Sequence, residues 1–382
     1  MPPTIATTSR LVLLLRTKPA AVVAGVIGPL LMGAAILPAP QRPAGLAGGG
    51  PAIPGSPEDP HRDPRETHLR NVRQLTFGGT NAEAYFSHDG KRLIFQSTRD
   101  DYQYDQMFIM NIDGSDVRLV STGEGKTTCG YFFKDGKHIL YSSTHLAGDQ
   151  CPPRPDYSKG YVWGVYSSFQ LFYATDRGKI LKQLTPGPGY NAEATISRDG
   201  KKIVFTSFRD GDLDIYSMNS DGTHLQRLTR ELGYDGGPFY SHDGKWIVYR
   251  AHHPTGAEEA ARYKELLSQE LVEPMKMELY VMRDDGSQQK QITRLGGASF
   301  APFFFPDGQR IIFASNYENP GTSKFELYAV SPEGGQPERI TYSGGFNSFP
   351  MFSPDGKKLV FASNRNAKQP REINIFIADW VP

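Results

Sequence analysis

The chain has 382 residues, 38% apolar and 22% charged, with 40 Gly and 29 Pro, a composition that suits a large soluble β protein rich in turns. Residues 1–57 hold four of the 42 basic residues and none of the 41 acidic ones, so the remainder carries 38 basic against 41 acidic groups, a net charge of −3. Such a near-neutral body gives no electrostatic reason for a nucleic acid or an anionic membrane as partner.

In chain order, Arg10, Arg16 and Lys18 flank an apolar stretch from Ala20 to Leu37, and the segment from Pro38 to Pro60 is Pro/Gly-rich. This is the layout of a secretory signal or of an uncleaved membrane anchor over residues 1–47, followed by a linker over 48–71. Cleavage after Ala47 satisfies the small-residue rule but lies far from the apolar core, whereas Leu37-Pro38-Ala39 fits that rule poorly. Signal and anchor therefore both stay open. No Cys occurs in this region, which excludes a lipid-modified N-terminal Cys.

From residue 72 onward the sequence repeats. Asp-Gly pairs stand at Asp89-Gly90, Asp135-Gly136, Asp199-Gly200, Asp243-Gly244, Asp307-Gly308 and Asp355-Gly356, at intervals of 46, 64, 44, 64 and 48 residues. A period in the mid-forties, twice lengthened by an insertion, is that of a β-propeller blade. Five of the six pairs follow a strand bearing aromatics, such as Tyr85-Phe86, the third following Thr195-Ile196, and every pair precedes an apolar strand, such as Leu93-Ile94-Phe95, which predicts a hairpin. A third strand follows in every unit (Met107-Phe108-Ile109-Met110 in the first), then a second tight turn and an Arg/Gln-Leu/Ile strand (Arg118-Leu119-Val120). Four antiparallel strands make one blade. The sixth unit ends at Trp380-Val381-Pro382 without a fourth strand, while Arg73-Gln74-Leu75-Thr76 precedes the first unit without a partner. That N-terminal strand is expected to complete the last blade and close an all-β, six-bladed ring over 72–382, removing the exposed sheet edges.

The repeated Ser-x-Asp-Gly-Lys, the aromatic third strand and the Arg/Gln-Leu/Ile-Thr fourth strand resemble the TolB-like six-bladed propeller family over roughly residues 72–382. The front departs: the family's namesake carries an α/β domain ahead of its propeller, which the Pro/Gly-rich residues 1–71 do not supply. The resemblance implies a bacterial periplasm and contacts with an envelope protein; a peptide or a glycan is what a polar channel mouth would capture. It also brings an enzymatic alternative, because some similar propellers are metal-assisted polysaccharide lyases with His and Gln ligands at the channel mouth. Here His145, His253 and Glu83 or Glu193 would be recruited, although no spacing demands it.

Both insertions, 146–168 in the second blade and 252–276 in the fourth, fall in loops between second and third strands, which puts them on one face and marks that face as functional. Thr255-Gly256-Ala257-Glu258 reads as a capping box, followed by Tyr263, Leu266, Leu267 and Leu271 at helical spacing until Pro274. Two registers ring the same face. The ends of the second strands carry Arg99, His145, Arg209, His253, Tyr317 and Arg365. The starts of the first strands carry Asn81, Thr127, Asn191, Asp235, Ser299 and Asn347, with Glu83 and Glu193 two places on. These read either as interblade hydrogen bonds and ion pairs or as a polar mouth that captures a ligand. Cys129 and Cys151 fall near the same face of an exported chain, where a disulfide is the expectation and two unrelated thiols the alternative.

Chemistry-bearing motifs are scarce. The sequence has no Gly-x-Ser-x-Gly, no His-Glu-x-x-His, no paired Cys-x-x-Cys and no phosphate loop. The expectation is a monomeric, non-catalytic binding propeller with no cofactor, a channel cation being left open.

Overall fold

Four of the six Asp-Gly pairs turn their hairpins through local hydrogen bonds that a Ser two places before the Asp makes possible, Phe133 and Phe305 standing there in blades 2 and 5. In the first blade the Ser87 hydroxyl donates to Asp89 Oδ1 (2.6 Å), which also accepts from the Lys91 backbone N–H (3.1 Å), while Arg92 N–H donates to Ser87 Oγ (3.0 Å). Gly90 supplies the left-handed φ of 69° that the turn requires. The same set recurs at Ser197, Ser241 and Ser353.

The computed structural model describes residues 59–382 apart from 149, 158, 159, 188 and 275; the expected signal or anchor lies outside the described residues. Six four-stranded antiparallel sheets are the six blades. Blade 1 is Thr80–Phe86, Arg92–Thr98, Gln106–Asn111 and Arg118–Leu119; blade 2 is Thr127–Phe132, His138–Ser143, Gln170–Thr175 and Ile180–Gln183. Blade 3 is Asn191–Ile196, Lys202–Ser207, Asp214–Asn219 and Gln226–Arg227; blade 4 is Tyr234–Tyr240, Trp246–His252, Glu278–Arg283 and Lys290–Gln291. Blade 5 is Ser299–Phe304, Ile311–Ser315, Glu326–Val330 and Glu338–Arg339. Blade 6 takes Asn347–Phe352, Lys358–Ser363 and Asn374–Trp380 from the C-terminal end and Leu69–Gln74 from the N-terminal end. Among the described residues no helix is long and apolar enough to cross a membrane.

The closure expected from the strand count is therefore present, with Leu69 opposite Trp380 and Gln74 opposite Phe376. The closing strand starts at Leu69, ahead of the expected Val72, and the residues before it are fixed to the ring. Glu66, with no exposed surface, binds the equally buried Arg365 through both carboxylate oxygens (2.9 and 3.1 Å), and Asp59 Oδ1 accepts from Val72 N–H (3.0 Å). A buried guanidinium needs such a partner, since burying it unpaired costs several kcal/mol, roughly 3–5 by analogy with broken buried pairs.

Neighbouring blades are clasped by a recurring polar trio. A side chain opening the third strand meets a hydroxyl from the fourth and a polar residue opening the next blade. Between blades 5 and 6, Thr341 and Asn347 both donate to Glu326 Oε2 (2.6 and 2.8 Å). Between blades 2 and 3, Asn191 donates to Gln170 Oε1 (3.2 Å), and across the closure Asn81 reaches Asn374 Oδ1 (3.5 Å). Buried polar groups are thus satisfied in pairs, as low-dielectric interfaces demand.

Candidate functional site: a roofed cavity on the channel axis

The inner strand of every blade is broken by a β-bulge at the same place, between Ala82 and Tyr85 in blade 1 and at the matching positions of the other five. The bulged residues are Glu83, Cys129, Glu193, Gly237, Ala301 and Phe349, all left-handed with φ between 52° and 58°. Five of them are not glycine, so the ring repeats a conformation that L-residues adopt at a cost of about 1 kcal/mol or more each. The bulge re-aims one side chain per blade, and all six of these residues line or border one cavity of about 620 Å³.

Below the bulges the channel is plugged. Tyr85 of blade 1 meets Phe239 of blade 4 with ring centroids 5.5 Å apart, and Tyr131 and Phe303 pack against the same pair at 5.7 and 5.6 Å. Blades 1 and 4 face each other across a six-bladed ring, so this contact closes the axis. Above, the two insertions form one roof. Trp163–Gly164 from blade 2 pairs with Leu271–Val272 from blade 4 as a two-stranded sheet. Trp163 reaches Tyr234 of blade 4 (6.5 Å) and Phe300 of blade 5 (6.3 Å), which stands opposite its own blade. The helix α1, Ala257–Leu267, anchors this roof by burying Tyr263, Leu266 and Leu267, and the Tyr263 hydroxyl lies 2.6 Å from Asp212 Oδ1. The helix ends earlier than the apolar spacing suggested, because Leu271 is drawn into the strand pair. Its start also differs: Gly256 is the N-cap, and Glu259 rather than Glu258 reaches back, to the N–H (2.9 Å) and hydroxyl (3.1 Å) of Thr255.

The cavity is lopsided in chemistry. Glu193 accepts from the Tyr234 hydroxyl (2.8 Å), the Thr206 hydroxyl (2.7 Å) and Gly237 N–H (2.9 Å), and pairs with the Arg250 guanidinium. Arg250 in turn stacks on Trp163 (5.2 Å) and Tyr234 (5.4 Å). Gly237 is required here, since a Cβ would stand 2.1 Å from Arg250 Nη1. Glu83 lies deep among protein groups yet opens onto the cavity, and burial pushes its carboxyl up to about 7, the Cys129 thiol beside it favouring and Glu193 disfavouring its charge. Toward blades 5 and 6 the wall is Phe300, Phe346, Phe349, Ala298 and Ala301, with the exposed Arg371 and Thr322 at the rim.

Of the residues singled out in the sequence, Glu83 and Glu193 meet in this cavity. The register at the ends of the second strands does not line it. Each member instead covers an aromatic ring of its blade's third strand: Arg99 on Phe108 (5.6 Å), His145 on Phe172 (4.4 Å), Arg209 on Tyr216 (5.0 Å), His253 on Tyr280 (5.3 Å), Tyr317 on Tyr328 (4.8 Å) and Arg365 on Phe376 (5.7 Å). His253 also binds Asp235 (3.0 Å) and His145 the Ser143 hydroxyl (3.0 Å), each within its own blade, so the two histidines are not brought to one centre. Asn81, Asn191 and Asp235 sit at the interblade clasps. The expected Cys129–Cys151 bridge is not formed: both thiols are free. The bulge commits Cys129 to the cavity lining, of which Cys151 is not a part. The residues that sequence reasoning missed are Arg250, Tyr234 and Trp163. Arg250 had a signal, since the cross-strand register holds Gln96, Ser142, Thr206, Ala314 and Ala362 in the other blades.

Ring closure, plugged axis and a partly roofed cup define a six-bladed propeller with a cavity at one mouth of its channel. Residues 266–379 match the TolB beta propeller domain, under a third of the chain. Among solved structures, a putative TolB from Agrobacterium tumefaciens is 18% identical with a TM-score of 0.50, the match covering 81% of this chain and 97% of that one. TolB from Acinetobacter baumannii is 18% identical, TM-score 0.49, over 79% of this chain and 64% of that one. An oligogalacturonate lyase in complex with manganese is 15% identical, TM-score 0.48, over 81% and 93%. No curated protein matches the chain. At these identities the likeness is one of fold.

Proposed function

We propose that this chain is a non-catalytic binding propeller of the bacterial cell envelope, working through the face that carries the 146–168 and 252–276 insertions. The ligand, an envelope protein or peptide, a glycan or a smaller molecule, enters the roofed cavity with part of its surface and contacts the insertions with the rest. The observation that carries this reading is Trp163, which crosses from blade 2 to Arg250 and Phe300 and partly roofs the channel mouth, leaving a cavity with an open side. Concave, mostly apolar cavities with few placed polar groups are what binding sites look like. Exported, periplasmic placement goes with the reading, and the N-terminal segment is either removed or serves as anchor.

The test is capture from envelope extract on the immobilised full-length protein, wild type against Trp163→Ala. A specific partner retained by the wild type and lost by a still-folded variant is the expected result. Identical capture by both would move the binding face elsewhere on the ring.

A further inference from the structure

Below the exposed rim, where Arg371 stands, the charge inventory of the cavity leaves one group uncompensated. Glu193 is saturated by Arg250 and three further donors, and Lys126 at the rim faces Asp105 at 3.5 Å. Arg250 is sandwiched between its carboxylate and two aromatic rings. Among the described residues no basic side chain is bonded to Glu83, although it lines the cavity between the plug and the roof. A carboxylate enclosed by protein is costly without a cation beside it. Beside it, on the blade 5 and blade 6 side, stands a run of aromatic rings, where Phe300 meets Phe349 at 5.7 Å and Phe325 at 5.0 Å, and Phe325 meets Phe346 at 5.8 Å.

Resting on the cavity reading above, we propose that the site selects a primary ammonium carried on an aromatic or apolar body, with Glu83 receiving the ammonium and Phe300, Phe346 and Phe349 the body. At the depth of Glu83 an anionic head would meet that carboxyl with Arg250 already engaged by Glu193, the rim cation Arg371 lying on the exposed side. Two sources carry this chemistry, the N-terminus of a peptide and a free arylalkylamine.

Three probes separate the outcomes by calorimetry on the full-length protein at about pH 7.5, where the amines are substantially protonated: phenethylamine, the dipeptide Phe-Ala amide and its N-acetyl form. The expected result is that an ammonium probe binds at least about tenfold more tightly than the N-acetyl probe, as a charge-assisted hydrogen bond allows, and that Glu83→Gln abolishes the difference. The tighter of the two amines identifies the source. Glu83→Gln is isosteric and its folding is checked by melting; acetylation of the probe tests the same contact without touching the protein. Equal binding of the N-acetyl probe would overturn the ammonium preference while leaving the cavity as a binding site. A preference that survives Glu83→Gln, or no binding by either amine, would overturn the assignment to Glu83.

Discussion

Glu83→Gln should change how stability depends on pH, in a direction fixed by the position of the carboxyl. Burial raises its pKa from 4.5 to about 7, so the folded protein keeps a proton that the unfolded chain gives up. The site's contribution is therefore full below pH 4.5 and is lost as pH rises through 7. At about 1.4 kcal/mol per pKa unit, the loss is on the order of 3 kcal/mol, an upper figure because the carboxyl opens onto the cavity. Gln cannot ionise, so the variant should match the wild type near pH 4.5 and exceed it by up to roughly 3 kcal/mol at about pH 8. Asp214, also raised to about 7 by burial, tilts both proteins in the same sense, which is why the difference between them is the quantity to read. Denaturant unfolding at about pH 5, 6.5 and 8 measures it. A difference that stays constant with pH, or a variant less stable at the alkaline end, would refute the placement of an unpaired carboxyl in the cavity.

Arg250→Met should cost about 3–5 kcal/mol of folding stability, because it strands the Glu193 carboxylate. Adding Glu193→Gln should restore much of that loss, and no recovery in the double variant would argue against the pair. Removing residues 1–58 should leave the melting temperature unchanged, whereas removal through residue 67 strips Glu66 from the buried Arg365 and should cost about 3–5 kcal/mol. Removal through residue 78 also takes the closing strand Leu69–Gln74 and should abolish cooperative unfolding of the ring. Equal stability of the two longer truncations would refute the closure.

The ring was legible because its signals are local. Ser87, Asp89 and Gly90 make a turn from hydrogen bonds spanning a few residues, and six Asp-Gly turns, four of them with this Ser, together with one strand missing at the end and one spare at the start fix both blade number and closure. The cavity was not, for two physical reasons. A bulge breaks the two-residue alternation from which strand faces are read, so nothing in the sequence shows that Glu83 and Cys129 turn toward the same axis. The roof depends on Trp163–Gly164 finding Leu271–Val272, a pairing across more than a hundred residues that no turn encodes.

The charged register misleads in a different way. Arg99, Arg209 and Arg365 look like a basic mouth because guanidinium groups usually face water, yet each lies over an aromatic ring of its own blade, where the planar cation stacks as readily as it hydrates. What distinguishes the site from this background is departure from the repeat. A register that serves the ring tolerates like residues in all six blades, as the interblade clasp does with Gln170, Glu326 and Asn374. The bulge register instead runs from Glu83 and Glu193 through Gly237 to Ala301 and Phe349, and its cross-strand partner is small or amide-bearing everywhere except Arg250. Symmetry of packing explains the first pattern; the second departs from it at Glu193, Gly237 and Arg250, which fit one another, and at Glu83, which no basic side chain pairs, and it is on Glu83 that the proposed ligand, charged at one end and apolar at the other, rests.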